Sequence, residues 1–138
     1  MYEKVLAAVD HSEVSERVLA AARELASLSK GEVWVLHLRE REVISRMGLV
    51  PTESETDAES AITSAVDSLT QAGVRAHAVV RDTIFGHAAR EIIEEARERG
   101  ADVIVLGSRG RGDLTGLVLG STAHKVTHLA DRPVLVVR

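Results

Sequence analysis

The sequence has no cysteine, two prolines and only one residue each of tyrosine, tryptophan and phenylalanine. The lack of cysteine excludes disulfides, thiolate metal sites and cysteine nucleophiles. Because Tyr2, Trp34 and Phe85 are the only aromatic side chains, the core has to be built from valine, leucine, isoleucine and alanine. That composition is typical of a sheet covered by helices on both faces.

An excess of positive charge and a long apolar run are also missing. The formal net charge of −4 argues against general binding to nucleic acid, which needs positive charge to displace counterions. No apolar run approaches the roughly 20 residues of a membrane span, and an acidic residue at Glu3 is atypical of a signal peptide. We therefore expect a cytoplasmic protein with no membrane partner, folded as one domain over 1–138.

Short strand-like runs alternate with longer runs of helical period. The predicted strands cover 5–9, 33–38, 76–80, 103–106 and 134–137, and the predicted helices cover 14–28, 56–72, 86–99 and 121–130. Segment 39–55 is polar and lacks a clean period, which indicates a long loop, and Thr56 with Glu59 forms a capping box at the next helix. The alternation predicts an α/β fold with a doubly wound parallel sheet and helices on both faces.

A glycine-rich segment, GSRGRGDLTGLVLGST, follows the fourth predicted strand and begins at Gly107. Glycines let backbone N–H groups approach a phosphate, and a helix beginning near Gly120 adds its dipole. The segment is not a P-loop, because Asp113 and Leu114 stand where lysine and serine or threonine are required. It is not a dinucleotide fingerprint either, because it does not follow the first strand and its glycine spacing is wrong.

The spacing G-x2-G-x9-G-[ST], met by Gly107, Gly110, Gly120 and Ser121, resembles that of the universal stress protein family, in its nucleotide-binding branch. The similarity extends over AVDHSE, VLHL, ADVIVLGSRGRG, LGSTAHKV and the closing RPVLVV. It implies strand order 3-2-1-4-5, a bound ATP or another adenine nucleotide (ADP, AMP or cyclic AMP), and a homodimer.

The same resemblance assigns site residues. Asp10 would lie near the ribose or a phosphate-bound metal such as Mg²⁺, and the backbone at Leu38 would meet adenine. The phosphates and ribose would be bordered by Gly107, Arg109, Gly110, Gly120, Ser121 and Thr122. The family often has a small aliphatic residue where this chain has Thr122, whose hydroxyl adds a donor.

Simpler interpretations of these residues stay open. The glycines could form a flexible connector, and Arg109 and Arg111 could merely solvate it. Asp10 could cap the first helix, with Glu13 completing a capping box. His124 and His128 have the i, i+4 spacing of a zinc pair, but no third ligand stands out, so no metal site is predicted.

We expect a nucleotide-binding stress-response or regulatory module without catalytic residues. One alternative is a slow ATPase or phosphotransferase, although no lysine lies between Gly107 and Gly120 to clamp a phosphate. The other alternative is a nucleotide-free dimeric interaction module. The last strand is an uncharged edge, which favours a homodimer that pairs through Val134, Leu135, Val136 and Val137.

Overall fold

The computed structural model of the chain describes residues 1–44, 46–51, 53–109 and 119–138. These ranges contain six strands and four helices. The strands are β1 (Lys4–Val9), β2 (Glu32–Ile44), β3 (Gly48–Pro51), β4 (Arg75–Ile84), β5 (Val103–Gly107) and β6 (Val134–Val137). The helices are α1 (Val14–Ser29), α2 (Glu55–Gln71), α3 (Ala88–Arg99) and α4 (Ser121–Leu129).

Five of the strands form the predicted parallel sheet. Strand β1 pairs with β2 on one side and β5 on the other, β4 pairs with β2, and β6 pairs with β5. The resulting order β4-β2-β1-β5-β6 is the predicted order 3-2-1-4-5, with β4 as the third predicted strand. The carboxyl ends of β1, β2 and β5 therefore meet at one edge of the sheet.

The sheet separates two apolar cores, because successive side chains of a strand point to opposite faces. Val5 and Ala7 pack with α1 and α2 on one face. Leu6 packs with α3 and α4 on the other face. Val5, Leu6 and Ala7 are fully buried, so β1 meets an apolar core on both faces, which explains why its sequence is apolar from Val5 to Val9.

The predicted long loop at 39–55 is wrong. Strand β2 continues through it to Ile44, and β3 pairs with this extension in the antiparallel sense, so the sheet is mixed. The extension is polar because it projects beyond the cores, where Arg39 and Arg41 form ion pairs with Asp82 of β4. Strand β4 likewise runs past its predicted end to Ile84.

Helix boundaries differ in detail from those predicted. Helix α2 is capped by Ser54, whose hydroxyl accepts the N–H of Asp57 at 3.1 Å, and not by a box formed by Thr56 and Glu59. Helix α3 begins at Ala88, because Gly86 adopts a φ of +90° that ends the preceding turn. Within the described residues, no helix is long and apolar enough to cross a membrane.

Candidate functional site

A cavity of about 700 Å³ lies at the carboxyl ends of β1, β2 and β5. Its volume is within the range of small-molecule sites. Seven of the eight predicted site residues line it: Asp10, Leu38, Gly107, Arg109, Gly120, Ser121 and Thr122. Gly110 lies outside the described residues. The structure thus brings the predicted residues together, and their contact with a nucleotide stays a prediction.

An interruption in the sheet opens one side of the cavity. The pairing of β1 with β2 ends at Val9 and His37, and β3 joins the extension of β2 only from Arg41 onward. Arg41 also pairs with Ile84 of β4, so β3 lies on the side of β2 that faces β1. Among the described strands, none pairs with Leu38 on that side, and Leu38 and Glu40 line the cavity.

Asp10 organises the turn between β1 and α1. Its Oδ1 accepts the N–H of Ser12 at 2.8 Å and the hydroxyl of Ser15 at 3.0 Å. The N-cap position of α1 belongs to Glu13, whose side chain makes no capping bond, so the predicted capping box is wrong. Asp10 nevertheless reaches the cavity, which leaves a ligand contact compatible with its role in the turn.

The start of α4 forms another side of the cavity. Gly120 is its N-cap residue, and the N–H of Gly120 donates to the carbonyl of Ser108 at 2.6 Å. Gly120 therefore fixes the helix to β5 rather than offering its own N–H to an anion. Helix geometry leaves the N–H groups of Ser121, Thr122 and Ala123 without partners in the helix, and all three residues line the cavity.

The charges around the cavity are unevenly distributed. The carboxylates of Asp10, Glu40, Glu42 and Glu53 line the end formed by β1, β2 and β3. Burial, followed by repulsion from the other three carboxylates, raises the pKa of Glu40 above its ordinary value. Arg109 and Lys125 are the cationic side chains among the described lining residues, and they come from the β5 and α4 side.

Comparison with known proteins identifies the family. Residues 1–138 match the Universal stress protein family. The chain belongs to the universal stress protein family. It is 32% identical, over 151 aligned positions covering 100% of both chains, to universal stress protein YxiE of Bacillus subtilis.

Two solved structures of universal stress proteins share the fold. That of MJ0577, from Methanocaldococcus jannaschii, is 25% identical, covers 99% of this chain and 96% of its own, and superposes with a TM-score of 0.81. That of an Archaeoglobus fulgidus universal stress protein in complex with dAMP is 26% identical, covers 100% and 98%, and has a TM-score of 0.75.

This universal stress protein also has a histidine–carboxylate cluster at the cavity that the sequence did not reveal. Glu53 Oε2 lies 2.5 Å from His11 Nε2, and Glu53 Oε1 lies 2.5 Å from His37 Nε2. Burial alone would raise the pKa of Glu53, but the hydrogen bonds with both histidines outweigh it and leave that pKa below its ordinary value. We call these three residues the His–His–Glu cluster.

The pair His124 and His128, for which no metal site is predicted, lies outside the His–His–Glu cluster. The rings of His124 and His128 are parallel on α4, with centroids 6.5 Å apart. Among the described residues, only the His–His–Glu cluster brings three metal-ligating side chains together. His124 and His128 therefore have no third ligand among those residues. The ring of Trp34 stacks on that of His77, with centroids 4.2 Å apart.

Gly107 has a packing role in addition to its place in the glycine pattern. A Cβ at this position would lie 2.7 Å from Cγ1 of Val14 and 3.1 Å from the carbonyl oxygen of Arg109. Val14 is buried at the start of α1. Glycine at 107 therefore allows α1 to pack against the end of β5, which holds one side of the cavity in position.

We predict that Gly107→Ala lowers the free energy of unfolding by about 1 to 3 kcal/mol, the usual cost of overpacking a core. The double variant Gly107→Ala/Val14→Ala should lose less than the sum of the two single variants, because the shorter side chain removes the clash. Urea denaturation followed by circular dichroism measures all four proteins. Additive losses in the double variant would contradict this account.

Proposed function

We propose that this universal stress protein binds an adenine nucleotide in the cavity and acts as a regulatory module. The observation that carries the proposal is the position of the first turn of α4. Three N–H groups without helical partners and the hydroxyls of Ser121 and Thr122 lie on the same cavity as Leu38, which directly follows the last residue of β2 that pairs with β1. A helix N-terminus favours a phosphate, and strand backbone beyond the end of a neighbouring strand offers hydrogen bonds to a base.

The charge distribution supports one orientation of the nucleotide. Phosphate oxygens would be repelled by Glu40, Glu42 and Glu53 and attracted toward Arg109, Lys125 and the α4 terminus. The adenine amino group is a hydrogen-bond donor, so it would be favoured beside the carboxylates at the other end. Strands β2 and β5 are two strand spacings apart, about 10 Å, so base and phosphate would sit at opposite ends of the cavity.

The solved relatives support the same ligand class. The Archaeoglobus fulgidus protein, 26% identical over the whole of this chain, was determined in complex with dAMP. If a triphosphate is bound, Mg²⁺ would be held by its phosphates, with Asp10 as the carboxylate that the resemblance assigns to it. The ion would offset part of the negative charge of the phosphates.

A binding role is favoured over an enzymatic one. Helix N–H groups and glycines bind a phosphate equally well before and during its transfer, which gives affinity without acceleration. No lysine lies between Gly107 and Gly120 to clamp a phosphate. The ATPase or phosphotransferase alternative would require a base that activates water, and the candidate is Asp10, which we expect to be occupied by ribose or metal. The other carboxylates among the described lining residues, Glu40, Glu42 and Glu53, lie away from α4.

We also propose a homodimer that pairs through β6, as predicted from its uncharged sequence. The carbonyls of Pro133 and Val137 accept N–H groups from Ile104 and Ser108, so alternate residues of β6 bond to β5. Val134 and Val136 then direct their backbone groups away from the sheet. Leu135 is also 39% exposed, which adds apolar area at this edge.

We predict that nucleotide affinity depends on the first turn of α4. Losing the Ser121 hydroxyl in Ser121→Ala should weaken ATP binding about 5- to 30-fold, from a hydrogen bond of about 1 to 2 kcal/mol. Gly120→Val should weaken it more, because a branched side chain at this buried N-cap intrudes on the phosphate. Calorimetric titration of ATP and AMP measures both variants.

Matched controls accompany that titration. Thr127→Ala removes a hydroxyl from the last turns of the same helix, where it donates to the carbonyl of Ala123 at 2.9 Å, and should leave affinity unchanged. If the guanidinium of Arg111 only solvates the glycine-rich segment, Arg111→Ala should change affinity less than about threefold. If a folded Gly120→Val protein and Ser121→Ala both bind ATP like the parent, the proposed phosphate position is wrong.

We predict that the purified protein hydrolyses ATP more slowly than about 0.1 s⁻¹, below the usual range of enzymes. Phosphate release followed at saturating ATP and Mg²⁺ measures the rate. Faster turnover would favour the enzyme alternative. To assign the ATP hydrolysis to this cavity rather than to a contaminating enzyme, the activity would have to be lost in Ser121→Ala or Gly120→Val.

We predict that the protein has the mass of two chains by light scattering at micromolar concentration, and that Val136→Pro shifts it toward one. Proline removes an N–H that faces away from β5, so the sheet itself keeps its hydrogen bonds. Circular dichroism confirms that the variant is folded. A one-chain mass for the parent protein, or an unchanged two-chain mass for a folded Val136→Pro, would contradict pairing through β6.

A further inference from the structure

We infer that the His–His–Glu cluster is a metal site that takes a zinc-class divalent ion. The nitrogen and oxygen atoms that His11, His37 and Glu53 offer all lie within 4.8 Å of one another. Two imidazoles and one carboxylate are the protein ligands of a known class of zinc sites, in which the fourth position stays open. This inference is independent of nucleotide binding.

The orientation of His37 supports a metal ligand. Its Nδ1 lies 3.2 Å from the carbonyl oxygen of Val9, which can only accept, so Nδ1 carries a proton. In the neutral ring, the lone pair of Nε2 then points at Glu53. A second ring nitrogen that donates to a backbone carbonyl is the usual support of a metal-bound histidine, because it fixes the tautomer and the ring.

A lone pair that faces a carboxylate needs a cation between them. The cation is either a proton, which makes His37 an imidazolium, or a metal ion. His37 is only 2% exposed and the Glu53 side chain only 9%, so a charge there is poorly solvated. A divalent ion would be coordinated by His11, His37 and Glu53 together, whereas a proton bridges only His37 and Glu53.

The three ligand atoms lie within 4.8 Å of one another, so shifts of up to about 1.5 Å would bring them to the geometry of a zinc site. Zinc–nitrogen bonds of about 2.0 to 2.1 Å in a tetrahedral site separate two ligand atoms by about 3.3 Å. Glu53 would retreat from each histidine by about 0.8 Å relative to the present 2.5 Å contacts. Glu53 lies in the connection between β3 and α2, outside both elements, where such a shift costs little free energy.

Access and charge also suit an ion. His11 is about one-third exposed and lines the cavity, so an ion can arrive from solvent without opening the fold. Asp10 and Glu40 line the same end and contribute negative potential. The open coordination position would face the cavity and take water or an oxygen of a bound molecule. The ion would also tie the β3 segment to β1 and β2.

The test is a titration of untagged, chelator-treated protein without nucleotide. Co²⁺ serves as the probe, because its visible absorption reports coordination, and Zn²⁺ binding is measured by calorimetry. The parent should bind one ion per chain. His11→Ala and Glu53→Gln should each weaken binding at least tenfold, and bound Zn²⁺ should raise the melting temperature of the parent but not of Glu53→Gln.

Two controls match these changes. Glu32→Gln alters a carboxylate that contacts a single histidine, His77, at 2.8 Å, and the double variant His124→Ala/His128→Ala removes the helical pair. Both should bind the ion like the parent. A parent that binds no Co²⁺ or Zn²⁺ overturns the inference, and so does binding that is lost in the His124/His128 variant but kept in Glu53→Gln. ATP titration of the same metal-free samples tests the proposed nucleotide site separately.

Discussion

The difference in length between β1 and β2 is the constraint on which the site depends. The two strands pair only as far as Val9 and His37, while β2 continues to Ile44 with β4 beside it. Strand β3 rejoins β2 beyond a short gap, on the side that β1 has left. The gap becomes one side of the cavity. Glu53, which follows β3, contacts His37 of β2 and His11, which follows β1.

The parallel sheet was predictable because its signals are local. Buried runs such as 5–9 and 103–106 are apolar on both faces, and this pattern occurs where helices cover a strand on both sides. The end of α3 was predictable because Gly100 adopts a left-handed φ value, a backbone conformation that favours glycine. The extension of β2 was not predictable, because its charged side chains are held by Asp82, which is 43 residues from Arg39 along the chain.

The site was predictable in part, and through resemblance rather than through local pattern. The glycine pattern named residues that do converge on one cavity, although Gly107 also serves packing against Val14 and the N–H of Gly120 is engaged by Ser108. The His–His–Glu cluster has no sequence signature. His37 and Glu53 are 16 residues apart and His11 and Glu53 are 42 apart, spacings that only the adjacency of β1, β2 and β3 converts into contact.

The arrangement of charge links the two proposals without making one depend on the other. The proposed nucleotide would bring negative charge to a cavity whose described lining already holds four carboxylates, so its phosphates would be favoured at the α4 end. Burial, together with repulsion from the other three carboxylates, already raises the pKa of Glu40. A divalent ion on His11, His37 and Glu53 would lower the negative potential at the other end without occupying the phosphate position. The same ion would hold the β3 segment over the cavity, so the local charge and the shape of the base-binding end would change together.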